Sequence, residues 1–161
     1  MHNPLQKDLL LLLENASNLT VDICNRFIAR INQGNLTRDE NPPSHLCVYF
    51  AAYDPKNRNV FMGKHIKSGL WLFNGGHVDK NESIEDALYR EMKEEWGLVQ
   101  KTNISAPSLF TITQIENPKR QTCGWHYDIW YFIPFQKDLF HPMQNLLSPA
   151  PLLVTKQPCL G

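Results

Sequence analysis

The sequence predicts an α/β fold in which helices flank a mixed β-sheet. Three observations carry that expectation. Two apolar patterns at helical spacing lie within the first 33 residues. Short β-rich segments, separated by clusters rich in Pro, Gly and Asn, run from Leu46 onward. Between them, Ser83 to Gly97 reads as a capped helix that turns carboxylates toward its apolar side.

Leu5 to Gln33 reads as helical, with Leu9, Leu12 and Leu13 on one face. Within it, Ile23, Phe27, Ile28 and Ile31 recur at helical spacing, and Gly34 stops the pattern. Asn41-Pro42-Pro43-Ser44 is a linker. Leu46 to Tyr53 and Val60 to Lys64 flank a turn from Asp54 to Asn59 and predict a hairpin. Leu70 to Phe73 is a short strand leading into Gly75-Gly76, and Leu109 to Ile115 and Ile129 to Phe135 are further strands. Pro134, Pro142, Pro149, Pro151 and Pro158 then break up the end of the chain. The expected organisation is a helical segment over residues 1–40 packed on the domain, the domain itself over 41–145, and an irregular Pro-rich tail over 146–161.

Composition narrows the function. Sixteen basic residues balance sixteen acidic ones, so nothing argues for a nucleic-acid partner. The apolar run Leu9 to Leu13 is too short to span a bilayer and lacks the flanks of a signal peptide. It reads as core or as a dimer contact. Cys24, Cys47, Cys123 and Cys159 are scattered without C-x-x-C spacing, so neither structural zinc nor a disulfide framework is expected. A cytoplasmic, reducing location follows as the default.

The helix from Ser83 carries the chemistry. Ser83 and Asp86 resemble a capping box, and Gly97 supplies a C-cap. With Ile84 at zero on the helical wheel, Ala87, Leu88 and Met92 fall at about −60°, +40° and +80°. Glu91 and Glu95 fall at about −20° and +20°, inside this apolar arc, with Glu94 at its edge near −80°. Arg90 lies on the opposite side. Like charges four residues apart repel, and burial raises the cost of keeping them ionised. A bound divalent cation removes that cost. An all-oxygen donor set favours a hard ion, Mg²⁺ or Mn²⁺. The competing reading, a solvated acidic face, does not fit the wheel.

Gly76 to Leu98 resembles the Nudix box, G-x5-E-x7-R-E-U-x-E-E-x-G-U, where U is bulky and aliphatic. Gly76, Glu82, Arg90, Glu91, Glu94, Glu95 and Gly97 meet every fixed position, and Met92 and Leu98 fill the aliphatic ones. His45, Gly63 to His65, Lys67, Trp71, Gly75 to Val78 and His126-Tyr127-Asp128 extend the likeness over residues 36 to 135, to a bacterial branch of that family. Asn74 departs from the branch, where Pro often precedes the glycine pair, and so does Asp79, where Glu is common.

The resemblance implies a Nudix-type α/β/α sandwich with an N-terminal helical extension. It also implies Mg²⁺-dependent hydrolysis of a pyrophosphate bond in a nucleoside diphosphate linked to another moiety. On this reading Glu91, Glu94, Glu95 and the Gly76 carbonyl hold the metal. Glu94, Glu95 or Glu116 serve catalysis. Glu82 and Arg90 pair to fix the loop. Lys67, Trp71, His77, Trp125, His126 and Tyr127, with Arg58 and Phe73 as further candidates, touch a small nucleotide-derived substrate. Such domains close with a helix over the sheet, and no matching helical pattern follows Met143 to Leu147. That face is then covered by the N-terminal helices or by a second subunit of a homodimer. Two other functions fit the fold. An isomerase of the isopentenyl-diphosphate type needs a Cys-rich strand motif that Cys47 and Cys123 do not supply. A non-catalytic sensor suits a degenerate box, and this box is intact.

Overall fold

The computed structural model describes residues 2–54, 56, 59–64, 69–97, 104–116 and 122–134. The helical N-terminus divides into α1 (Pro4–Glu14) and α2 (Val21–Gln33). Asn15 and Thr20 are the reason. Asn15 caps the end of α1, and the Thr20 side chain caps the start of α2 by accepting from the Ile23 N–H at 3.4 Å. At the front of α1, Asn3 and Gln6 exchange backbone and side-chain hydrogen bonds, both at 2.8 Å, in a full capping box.

The strands are β1 (Ser44–Asp54), β2 (Asn59–Val60), β3 (Gly63–Lys64), β4 (Trp71–Leu72), β5 (Asn74–His77), β6 (Leu109–Gln114) and β7 (Trp125–Pro134). The expected hairpin arm from Val60 to Lys64 is split. Val60 pairs with Tyr53 of β1, whereas Gly63 and Lys64 pair with β4 in a separate two-stranded sheet. The main sheet is mixed. β1 lies parallel to β7 over ten residue pairs, from Ser44–Trp125 to Tyr53–Pro134. The other side of β1 is shared by β5, opposite Cys47 to Phe50, and β2, opposite Tyr53 and Asp54. β6 runs antiparallel to β7 and closes the order β2-β1-β7-β6.

Strand alternation sorts the side chains onto two faces. Leu46, Val48, Phe50 and Ala52 of β1, Ile129, Tyr131 and Ile133 of β7 and Phe110 of β6 point to one side. There they form one apolar cluster with Leu9 and Leu13 of α1, Phe27 and Ile31 of α2, and Ile84, Ala87, Leu88, Met92 and Trp96 of α3 (Ile84–Trp96). All three described helices therefore cover the same face, and among the described residues none covers the other. The N-terminal helices extend the layer made by α3. The tail expected to be irregular lies outside the described residues.

Phe27 holds the N-terminal layer to the sheet. It is fully buried and meets Phe110 and Tyr127 edge to face at 5.5 and 5.2 Å. Phe27→Ala is expected to cost about 3–5 kcal/mol. Urea unfolding checks this: the midpoint should fall with an unchanged slope, as one cooperative unit requires. An unaffected main transition, with a separate early one for the helices, would contradict the common core.

Candidate metal and phosphate site

α3 begins at Ser83, whose hydroxyl accepts from the Asp86 N–H at 3.0 Å and donates to the Asp86 carboxylate at 2.7 Å. It ends at Gly97, whose left-handed φ of 67° suits glycine. Between these caps the helix lays Ile84, Ala87, Leu88 and Met92 on the sheet, and Glu91 goes in with them, only 8% exposed. Glu95 is half-buried and Glu94 is exposed. Three carboxylates thus step from buried to open along one turn.

Gly76 explains how Glu91 fits. On β5 it faces α3, and a Cβ at this position would sit 2.2 Å from Oε1 and 2.7 Å from Oε2 of Glu91. Any larger residue would displace the carboxylate. Glu95 is oriented by the same strand: Asn74 Nδ2 donates to Glu95 Oε2 at 3.0 Å, while Asn74 Oδ1 accepts from the Trp96 indole at 3.2 Å. Asn74 therefore ties strand, carboxylate and core aromatic together. In the sequence it showed only as a departure from a proline.

Arg90 joins the parts. Its Nε and Nη2 donate to the two oxygens of Glu82, both at 2.9 Å, and Nη2 also donates to the His77 carbonyl at 2.8 Å. Nη1 contacts Glu91, so Arg90 does not face away from the carboxylates as the wheel placed it. The wheel gives where the Cα–Cβ bond points, and a long guanidinium reaches round the helix to its neighbour. Glu94 and Asp79 lie further out, at 3.8 and 3.7 Å from Arg90. Glu82 Oε2 also accepts from the Asp79 N–H at 3.0 Å.

The electrostatics of Glu82 and Glu91 differ in sign. For Glu82 burial acts upward, but hydrogen bonds from Arg90 and the Asp79 N–H outweigh it and hold the carboxyl below its ordinary value. For Glu91 burial comes first, and Glu94 and Glu95 add repulsion. Together they exceed the pull of Arg90, so its carboxyl is raised. A buried carboxylate that resists ionisation, beside two more and against a bare glycine backbone, is an oxygen donor set suited to a hard divalent cation.

The other candidates are placed as follows. Glu116 is exposed, two residues beyond β6. Trp71 is exposed on β4. Lys67 and Arg58 lie outside the described residues. Trp125 and Tyr127 take the helix face of β7, because odd-numbered positions of this strand point there. Tyr127 packs on Phe27, and Arg26 of α2 lies over the Trp125 ring at 5.7 Å. His77 and His126 lie on the opposite face of the sheet, where they meet His45 with ring centroids 4.8 to 5.3 Å apart. Phe73 packs edge-on against Trp130, which stacks on Tyr49 on that same face. A groove of about 470 Å³ between α1, the start of α3 and residues 104–107 is lined by none of Glu91, Glu94 and Glu95.

Parts of this chain are similar to known proteins. The NUDIX domain family matches residues 43–150. An RNA pyrophosphohydrolase from Campylobacter jejuni is 34% identical over 56 residues, 34% of this chain and 36% of that protein. One from Hahella chejuensis is 49% identical over 39 residues, 24% of each chain. This chain thus spans about a third or less of the length of these curated relatives. The E. coli dihydroneopterin triphosphate pyrophosphohydrolase structure gives a TM-score of 0.48 at 18% identity, covering 66% of this chain and 79% of that one.

The raised carboxyl of Glu91 has a consequence for stability. Its folded value lies above its unfolded one, so the folded state is favoured with Glu91 protonated and loses stability as pH rises through that window. Glu91→Gln is therefore expected to raise the melting temperature of metal-free protein at pH 7, and to give little gain near pH 4, where the wild-type group is already protonated. Melting curves across that pH range in chelator check both arms.

Proposed function

This chain belongs to the NUDIX domain family, and from that premise we propose that it is a hydrolase that cleaves a pyrophosphate bond with a divalent cation, Mg²⁺ or Mn²⁺. The observation that carries the reading is Glu91 seated against the missing Cβ of Gly76, with Glu94 and Glu95 on the same turn. Glu91, Glu95 and the Gly76 carbonyl would hold the ion. A cation in that place neutralises charge that builds on phosphoryl oxygens and makes a nearby water more acidic.

The chain's own groups then divide the work. Asn74 keeps Glu95 aimed by its amide bond. Arg90 keeps the loop from His77 to Glu82 against α3. Glu94 and Glu116 are both exposed and carry no competing role in the core, so either can take the proton from the attacking water. The water oxygen forms a bond to one phosphorus, the bridging P–O bond breaks, and a phosphate-bearing group leaves. Exposed Trp71 is available for stacking on a nucleobase. The relatives named RNA pyrophosphohydrolase favour a nucleotide-derived substrate carrying a phosphate chain. The intact glutamates give no support to a non-catalytic sensor. Among the described residues no helix is long and apolar enough to cross a membrane. Cys24, Cys47 and Cys123 are free thiols, which suits a reducing compartment such as the cytoplasm.

Phosphate release from a panel of nucleoside triphosphates, nucleotide sugars, dinucleoside polyphosphates and 5′-triphosphorylated RNA, with and without EDTA, tests the reading. Hydrolysis should vanish in EDTA and return with Mg²⁺ or Mn²⁺. Glu91→Gln and Glu95→Gln should each lower kcat on the order of 10²-fold while the fold persists. Full turnover in EDTA, or normal kcat in either variant, would overturn the assigned roles.

Arg90→Ala separates a positioning role from phosphate binding. Loss of the clamp should cost about 1–3 kcal/mol of stability, because Glu82 is left without its partner. Activity should fall with it, and excess Mg²⁺ should rescue neither. If only KM rises and the melting temperature is unchanged, Arg90 binds substrate instead.

A further inference from the structure

The sheet face opposite the glutamates carries a second cluster with a different donor chemistry. His45 from β1, His77 from β5, His126 from β7 and Cys123 just before β7 each offer one ligand atom, and all four atoms lie within 4.8 Å of one another. His45 is fully buried, and Cys123 and His126 are nearly so. Both ring nitrogens of His126 and the Nε2 of His45 are buried without a hydrogen-bond partner among the described residues. Buried polar atoms left unpaired cost free energy, and three on two adjacent imidazoles call for a reason. Asp128 adds a fourth: its Oδ2 accepts from Thr113 at 2.6 Å and Thr111 at 3.0 Å, while Oδ1 is buried and unpaired.

We propose that His45, His77, Cys123 and His126 form a closed four-coordinate site for Zn²⁺, separate from the glutamates of α3. Three imidazoles and a thiolate are a nitrogen and sulfur set, which selects zinc over the hard ions suited to carboxylates. Zn–N and Zn–S bonds of about 2.0–2.3 Å put tetrahedral ligand atoms roughly 3.3–3.8 Å apart, so the cluster needs only a small contraction. The Cys123 sulfur already stands 3.8 Å from His77 Nε2. His45 presents the right nitrogen: its Nδ1 lies 3.3 Å from the Asn41 carbonyl, a contact that fixes the proton there and leaves Nε2 for the ion. Burial keeps the rings neutral, with His77 pushed down to about 3 and His126 to about 4, so no proton must be expelled from them at pH 7. For His77 the neighbouring imidazoles act in the same direction. One contact must yield. The exposed Arg38 lies 3.4 Å from His77 Nδ1 and gives way when that nitrogen carries the proton. The bound set has a net charge of about +1, and the Asp128 carboxylate, with an oxygen within 4.8 Å of a His126 ring nitrogen, stands where it can balance that charge.

Cobalt substitution reads the ligands directly. The full chain is stripped with chelator and titrated with Co²⁺, which the α3 site would bind through oxygen without a sulfur charge-transfer band. The expected result is a thiolate-to-cobalt band saturating at about one ion per chain, bleached by Zn²⁺ and insensitive to excess Mg²⁺. Glu91→Gln should leave the band in place, and Cys123→Ser should abolish it while the Co²⁺ held by the glutamates remains. Only weak bands of an oxygen-bound ion in the wild-type chain would overturn the site. So would a sulfur band that survives Cys123→Ser, which would assign the thiolate to Cys47.

Discussion

The Arg90 guanidinium is the contact on which the candidate active site depends. A loop from Val78 to Ser83 has few apolar groups of its own to bury, and its geometry is set by charge instead. Arg90 spans the gap by binding the Glu82 fork, the His77 carbonyl and Glu91 at once. Each of those partners belongs to a different part of the motif. One cation on α3 thus fixes the end of β5, the loop and the depth of a carboxylate together. Arg90 is itself about one quarter exposed, so its strength comes from geometry and from several simultaneous acceptors rather than from full burial.

β5 divides the chemistry of the molecule. Adjacent positions of a strand face opposite ways, so Gly76 addresses the glutamates of α3 and His77 addresses the imidazoles on the far side. Hard oxygen donors and softer nitrogen and sulfur donors are separated by the thickness of one strand. The same alternation governs β7, where Trp125 and Tyr127 join the helices while His126 and Asp128 turn away.

The fold and the carboxylate face of the site were legible because their signals are local. Apolar spacing marks α1, α2 and α3, and Gly76 to Gly97 carries its geometry within 22 consecutive positions. What the sequence hid needed pairing information. The split of α1 from α2 depends on side-chain caps at Asn15 and Thr20 that a continuous apolar pattern conceals. The exchange of Gly63–Lys64 from β1 to β4 is a choice between two antiparallel partners. Trp125, His126 and Tyr127 are consecutive in the sequence, but strand alternation puts His126 on the face opposite its two neighbours. Short cysteine spacing carries no trace of His45, His77, Cys123 and His126, which converge only when β1, β5 and β7 align. The signal the sequence does carry is the alternation of donor-type and core residues in His45-Leu46-Cys47-Val48 and His126-Tyr127-Asp128-Ile129.

The pairing of β1 with β7 also bears on how the chain reaches this state. Ser44 and Trp125 are partners, although 81 positions separate them (125 minus 44), and the pairing is parallel. Such a ladder gains nothing from a tight turn and must close a long loop before its first contact is rewarded. The helical layer and the β1–β5 pairing are more local and can form ahead of it. High contact order at the centre of the sheet favours a late joining of β7, and before it β1 has one edge unpaired in a strand that carries Leu46, Val48 and Phe50. Newly made chain is most vulnerable to association with its own copies during that interval.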